Sequence, residues 1–311
     1  MDEAHSFSLV DCCLILAGVI WGVNNIVVKS ALSDFSPPAF NAIRFTIASV
    51  LLCSIAYFTG GKSLRVEPCD AGMIILAGIL GNTLYQVLYI NGINQSTAGN
   101  VAVMLALKPI CLVILAGAFG GERIPASGWA GTFISLAGVL IITLGSGSRL
   151  SFGSQTLRGD LLTVASVFSW SAYTILSKPL VKKYTPVRIT ALTMVSGSVL
   201  LVGYAVPYLR AQDWARVRPA SWAGLVSSAS LALVFAYCAW SWGVTKLGGA
   251  RTAVYENIAM VSGVLSSWLI LGEKWSAVRF AGALVTLLGV VTVRWSEILK
   301  HARRRGREPA A

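Results

Sequence analysis

Two ionisable residues stand in stretches that are otherwise apolar. Lys108 lies in VAVMLALKPICLVIL and Glu256 in ARTAVYENIAMVSG. Inside a bilayer each such charge costs at least about 2.5–3.5 kcal/mol, so each needs a partner or water. One arrangement is an ion pair or gate between them. In the other, Lys108 receives a substrate carboxylate while Glu256 faces an ammonium or carries a proton. Pro109 follows Lys108 and cannot donate to the carbonyl four residues back, so a helix should bend there. Aromatic and amide side chains recur at helical spacing in other apolar stretches. Trp21, Asn24, Asn25 and Lys29 share one face, as do Tyr85, Gln86 and Tyr89. Further sets are Asn100, Met104 and Lys108; Trp170, Tyr173, Thr174 and Lys178; Tyr237 and Trp240; and Tyr255, Glu256 and Asn257. Amides and hydroxyls are costly to leave unpaired in hydrocarbon and should turn toward a wet interior. Rings around such an interior would hold a flat or apolar group. The competing reading is ordinary packing or an aromatic belt at the headgroups. The belt is the better account of Trp129, Trp214, Trp222, Trp275 and Trp295, near span ends. Snorkelling accounts for Lys29 and Lys178. For Arg44, outward snorkelling and pairing within the bundle stay open.

Other chemistry lacks its residues. No Gly-rich loop is followed by Lys-Ser/Thr. His5 and His301 both lie in terminal tails, which excludes a His-based metal site, proton relay or Ser-His-Asp set in the apolar segments. Asp160 is at a segment edge and has no facing Asp. The cysteines, Cys12, Cys13, Cys53, Cys69, Cys111 and Cys238, lack metal-ligand spacing and read as packing. No cofactor, metal or catalytic residue is expected, and the chain is not expected to be an enzyme.

These sites must be held by membrane helices. The 311 residues are 55% hydrophobic and 12% charged, with mean hydropathy +0.71. Soluble domains carry roughly 25% charged residues, so much of this surface must face lipid. Ten spans follow: 12–31, 38–58, 71–93, 97–119, 126–144, 160–181, 188–209, 221–245, 250–271 and 277–298. The longest linkers, near 145–158 and 210–220, leave no room for a soluble domain. The net charge of +12 does not indicate nucleic acid, because the cations sit between apolar runs and in a tail. With both termini cytoplasmic, fourteen cations face the cytoplasm, among them Lys62, Arg65, Arg123, Lys182, Lys183, Arg188 and the tail from Lys300 to Arg307. Eight lie opposite: Lys29, Arg149, Arg158, Arg210, Arg216, Arg218, Lys274 and Arg279. That excess sets the orientation. Asp2 and Glu3 replace a basic leader, so no cleavable signal is expected.

The sequence is written twice. An offset of 151 pairs Gly121-Glu122-Arg123 with Gly272-Glu273-Lys274, Gly92 with Gly243, Gly131 with Gly282 and Gly138 with Gly289; an offset of 149 pairs Trp21 with Trp170, Lys29 with Lys178 and Pro37 with Pro186. Each copy holds five spans, an odd number, so the second enters the membrane from the opposite side. An inverted repeat gives two exchangeable packings of similar energy. The expected divisions are 1–150, 151–298 and a basic cytoplasmic tail, 299–311. The glycine stretches 131–138 and 282–289 have spacing for close helix contact between the halves.

The two-times-five layout, the start Trp21-Gly22-Val23-Asn24 and the Gly-Glu after spans four and nine resemble the drug/metabolite transporter superfamily, its EamA-type ten-helix carriers most of all. The resemblance runs from about residue 12 to 298. It implies a central cavity lined by spans one, three, four, six, eight and nine. It also implies export of metabolites or amino acids, with the aromatic amino-acid exporters the best fit. The expectation is an all-α, multi-pass protein of a bacterial inner membrane, with lipid and a small-molecule substrate as its partners and a monomer sufficient for function. A drug or nucleotide-sugar carrier is the alternative, and a scaffold or sensor without flux is the alternative of another class.

Overall fold

The computed structural model describes residues 8–59, 64–96, 98–105, 107–119, 125–145, 154–271 and 276–305. Among them every long element is helical. In chain order they are α1 (Leu9–Ala31), α2 (Pro37–Thr59), α3 (Pro68–Gly78), α4 (Tyr85–Asn94), α5 (Ala98–Leu105), α6 (Lys108–Ala118), α7 (Ala126–Gly145), α8 (Ser154–Lys183), α9 (Pro186–Ala211), α10 (Pro219–Ser227), α11 (Ala236–Leu247), α12 (Gly249–Val254), α13 (Asn257–Leu271) and α14 (Ala277–Arg305). A π-helical stretch, Ile79–Leu84, joins α3 to α4, and another, Ser228–Phe235, joins α10 to α11. With α5–α6 and α12–α13 each making one span, these pieces form the ten expected crossings. The start of α1 and the end of α14 therefore lie on one face of the bundle.

Local chemistry sets the boundaries. Proline opens α2, α3, α9 and α10, where its missing N–H costs nothing. The Ser8 amide and hydroxyl both donate to Asp11 Oδ2 at 2.8 Å ahead of α1. Gly248, at φ 88°, ends α11 in a conformation that disfavours any side chain. Six helices meet the length and hydropathy of a full crossing, and Lys108–Ala118 and Phe280–Thr292 are shorter apolar pieces. α8 is more polar because it runs through the centre, with Thr163, Ser166, Ser171 and Thr174 all buried. α14 extends to Arg305, so the basic tail begins as a continuation of the last helix. The expected boundary at 150/151 and the Gly-Glu motifs lie outside the described residues.

Packing repeats across the halves. α7 packs on α14 and α2 on α9, while α1 against α13 mirrors α8 against α6. α1 against α11 mirrors α8 against α4. Single contacts obey the same exchange. A side chain on Gly92 would strike Thr163, and one on Gly243 would strike Leu14, 149 residues before Thr163. The α7–α14 seam is a backbone contact. A Cβ on Gly138 would lie 2.7 Å from the Gly282 carbonyl, and one on Gly289 would lie 2.6 Å from that of Gly131.

At the two faces, equivalent positions carry inverted charges. Beside the termini, Lys183 binds Glu67 Oε2 at 2.6 Å and Asp70 Oδ2 at 2.7 Å. On the opposite face, Asp34 takes Arg218 Nε at 2.8 Å and the Ser221 hydroxyl at 2.6 Å. Lys183 is the repeat partner of Asp34, Glu67 of Arg218, and Asp70 of Ser221. The Arg218 and Ser221 hydrogen bonds hold the Asp34 carboxyl well below the usual carboxylate range.

Gly138→Leu must spread the seam. It should lower the unfolding midpoint in detergent by an amount equivalent to about 1–3 kcal/mol. Gly203→Leu, at a position with no atom nearby, should leave the midpoint close to wild type.

Candidate functional site

Four of the ten spans are irregular at mid-depth, and they enclose one cluster of side chains. Span four stops at Leu105 and restarts at Lys108, with Pro109 in the first turn of α6, as the proline required. Span nine breaks at the corresponding level, where Tyr255 and Glu256 form a turn between α12 and α13. Spans three and eight carry the π-helical stretches, a feature that recurs at functional sites. Each stretch offers a backbone carbonyl to the neighbouring half: Trp21 Nε1 donates to Ala232 O at 2.9 Å, and Ser169 Oγ to Leu80 O at 2.8 Å.

Lys108 and Glu256 meet across the halves. Lys108 Nζ lies 3.5 Å from Glu256 Oε1 and donates to the Tyr85 hydroxyl at 3.1 Å. It also sits 5.1 Å from the Tyr85 ring centre and 5.5 Å from that of Trp170. Their side chains retain 15% and 10% of their exposure, so the pair is largely shielded. Of the two sequence-derived arrangements, the geometry is that of the ion pair. Glu256 Oε2 and Trp170 Nε1 are buried without hydrogen-bond partners.

The rings gather beside this pair. Trp21 lies 6.5 Å from Trp170, 6.3 Å from Tyr237 and 5.9 Å from Trp240. Trp170 in turn contacts Tyr85 and Tyr237, both at 5.3 Å. Tyr85 and Tyr89 stack with an interplanar angle of 8°. Tyr173 closes the back, so near Gly81 that a Cβ there would fall 2.5 Å from its ring. Trp21, Tyr85, Tyr89, Lys108, Trp170, Tyr173, Tyr237, Trp240 and Glu256 are thus brought together. Asn24 and Met104 are half-buried nearby on their spans.

Two expected members belong elsewhere. The Tyr255 hydroxyl donates to Asp11 and ties span nine to the start of span one. Asn257 Nδ2 donates to Ser135 Oγ at 2.7 Å, against α7. Helical position alone pointed both inward with Glu256; the turn at 255–256 rotates them away from it. Among the belt residues, Trp214 and Trp222 stack at 6.2 Å beside Phe35 at the face opposite the termini. Trp275 and the side chains of Trp295 and Lys29 lie outside the described residues.

Exposure breaks the symmetry of the two halves. Asn25 is exposed although it stands nine residues, two and a half turns, from lipid-facing Leu16. It therefore stands on the side of α1 opposite the lipid-facing one. Its repeat partner Thr174 is 1% exposed. Tyr85 and Tyr89 are half-buried, while their partners Ala236 and Trp240 are closed. Equivalent positions of the two halves thus differ in exposure.

Sequence reasoning passed over three features. Arg44 was left undecided and is buried within the bundle. Asp11 and its repeat partner Asp160 hold equivalent helix crossings, Asp160 through Ser96 and Asn100; the 149-residue offset could have found them. The third is a group of Glu67, Cys69 and Asp70 within 4.8 Å of one another, whose two acids are held by Lys183.

The EamA-like transporter family profile matches twice, over residues 8–144 and 157–295. This chain belongs to the EamA-like transporter family. The starts of the two matches differ by 149 residues and their ends by 151, the offsets seen in the sequence. Among similar proteins are an uncharacterized transporter of Archaeoglobus fulgidus, 28% identical over 89% of this chain and 94% of its own length, and one of Bacillus subtilis, 27% identical over 86% and 87%. A protein of Streptantibioticus cattleyicolor described as a probable terminal-alkyne amino-acid exporter is 25% identical over 90% and 91%. A crystal structure superposes with TM-score 0.79 at 18% identity, over 94% of this chain and 99% of that one, which shows the shared fold. The protein is an integral membrane transporter of this family.

Removing one partner of a shielded ion pair strands the other. Lys108→Met and Glu256→Leu should each lower stability in detergent. The double variant should recover part of the loss, with a coupling on the order of 1–3 kcal/mol in a double-mutant cycle.

Proposed function

We propose that this transporter exports small amphipathic metabolites, first among them amino acids with aromatic or other apolar side chains, by alternating access at the Lys108–Glu256 site. The observation that carries this reading is a ring cluster, Trp21, Tyr85, Trp170, Tyr237 and Trp240, set against an ion pair where two spans break. The rings suit a flat side chain, and the charged pair with its freed backbone suits a zwitterionic head. The unequal exposure of Asn25 and Thr174 fits a carrier open on one side. The Streptantibioticus cattleyicolor relative, described as a probable terminal-alkyne amino-acid exporter, is consistent with this choice.

The excess of basic residues in the linkers supports an orientation with both termini in the cytoplasm of a bacterial plasma membrane. Trp21, Asn24, Asn25, Tyr85, Tyr89, Met104, Lys108, Trp170, Tyr173, Tyr237, Trp240 and Glu256 form the proposed binding region. Tyr255 and Asn257 act as a gate contact and a hinge pin. One chain holds both halves, and a monomer suffices.

Counterflow in proteoliposomes tests the reading. A panel of labelled metabolites, run with and without a pH gradient, should show exchange of phenylalanine, tryptophan or leucine. Trp21→Ala and Lys108→Ala should each weaken that exchange by about tenfold or more, the equivalent of one well-packed ring or one charge-assisted contact. Full activity in both variants, or exchange confined to compounds without an amino-acid head, would overturn it.

A further inference from the structure

Arg44 is 6% exposed and sits within α2. Nη1 donates to the Ser228 hydroxyl at 3.1 Å, where the π-helical stretch of span eight begins. Nε has no hydrogen-bond partner. The rings of Phe40 and Phe45 lie 5.5 and 5.4 Å from the guanidinium carbon. Among the described residues no carboxylate forms a salt bridge with it. A buried guanidinium left so is costly, and buried charges are ordinarily paired.

Its surroundings are those of the transport site. Phe45, which lies against the guanidinium, belongs to one apolar cluster with Trp170, Tyr237 and Trp240, and Tyr85 packs against that cluster. One turn before Arg44, the Asn41 amide donates to Gln86 Oε1 at 3.5 Å, on the face that bears Tyr85 and Tyr89. The cluster therefore holds two cations, Arg44 and Lys108, and one acid, Glu256. The Lys108 charge is already answered by Glu256 at 3.5 Å. The positive charge without an answer belongs to Arg44.

We infer that Arg44 is the docking residue for the carboxylate of the transported molecule, with Ser228 holding the guanidinium in place. A guanidinium presents planar paired donors that match a carboxylate, as a lysine does not. The carboxylate completes the charge balance of the site, and the cargo's apolar side chain lies toward Trp21, Trp170 and Tyr237. Lys108, already paired with Glu256, then holds the two halves together around the head group while Arg44 fixes its carboxylate. The second half has Thr193 at the position equivalent to Arg44, so this specificity resides in the first repeat alone.

The inference rests on the amino-acid reading, and its test separates the two. In counterflow, the half-saturation concentrations for L-phenylalanine and L-phenylalaninamide are compared; the amide lacks the carboxylate. Arg44→Gln should shift their ratio toward the amide by about tenfold or more, the scale of one charge-assisted hydrogen bond. Arg44→Lys should fall between. The ratio is measured on the folded fraction, so a folding defect lowers both rates and leaves it unchanged. An unchanged ratio in both variants overturns the inference while leaving amino-acid export standing. Should the wild type exchange neither compound, export of aromatic amino acids fails instead. The docking residue is then judged by tryptophan-fluorescence titration of the purified protein with sodium 4-phenylbutyrate. Saturable binding lost in Arg44→Gln supports it, and binding that is absent or survives the substitution overturns it.

Discussion

Charge at mid-depth in a bilayer needs something to answer it, and here Lys108 and Glu256 answer each other across the two halves of the molecule. Lys108 belongs to the first repeat and Glu256 to the second, and they meet at 3.5 Å. Their helices are broken at that level. The π-helical stretches of spans three and eight pass carbonyls to Ser169 and Trp21 across the interface. Neither half can satisfy its own centre, so the bilayer itself forces the repeats together.

Elsewhere the halves meet more closely still. Glycines let α7 and α14 touch backbone to backbone. At the two faces, Lys183 with Asp70 and Asp34 with Arg218 make equivalent latches of opposite sense. Breaking one need not disturb the other, because they lie at opposite ends of the bundle. Asn25 and Thr174 differ although they are equivalent: the first is exposed and the second buried.

Much of this was legible in the chain. Twenty-residue apolar runs located the spans to within about three residues, since hydrocarbon thickness fixes helix length, except that α8 starts six residues earlier and α14 runs seven residues further. The paired offsets gave the inverted halves, and Pro109 gave the break in span four. The break at Tyr255–Glu256 has no proline or glycine of its own, and only its position opposite span four marks it. That break displaced Tyr255 and Asn257 from the site assigned to them. The π-helical stretches left no sign, because ILGNTL and SASLALVF read as ordinary apolar helix. Arg44 was undecidable because a cation two turns into a span can snorkel or pair, and which it does depends on the neighbours it meets in the fold.

The central claim is that one site is exposed to alternate faces by exchange of the two halves. It is tested most directly with a membrane-impermeant thiol reagent on Asn25→Cys and Thr174→Cys in a background without native cysteines. At rest, Asn25→Cys should react from the face opposite the termini, and Thr174→Cys should stay protected. During exchange of L-phenylalanine, labelling of Asn25→Cys should slow while Thr174→Cys becomes reactive from the face that bears the termini. Labelling that rises or falls at both positions together, or that ignores turnover, would contradict the account.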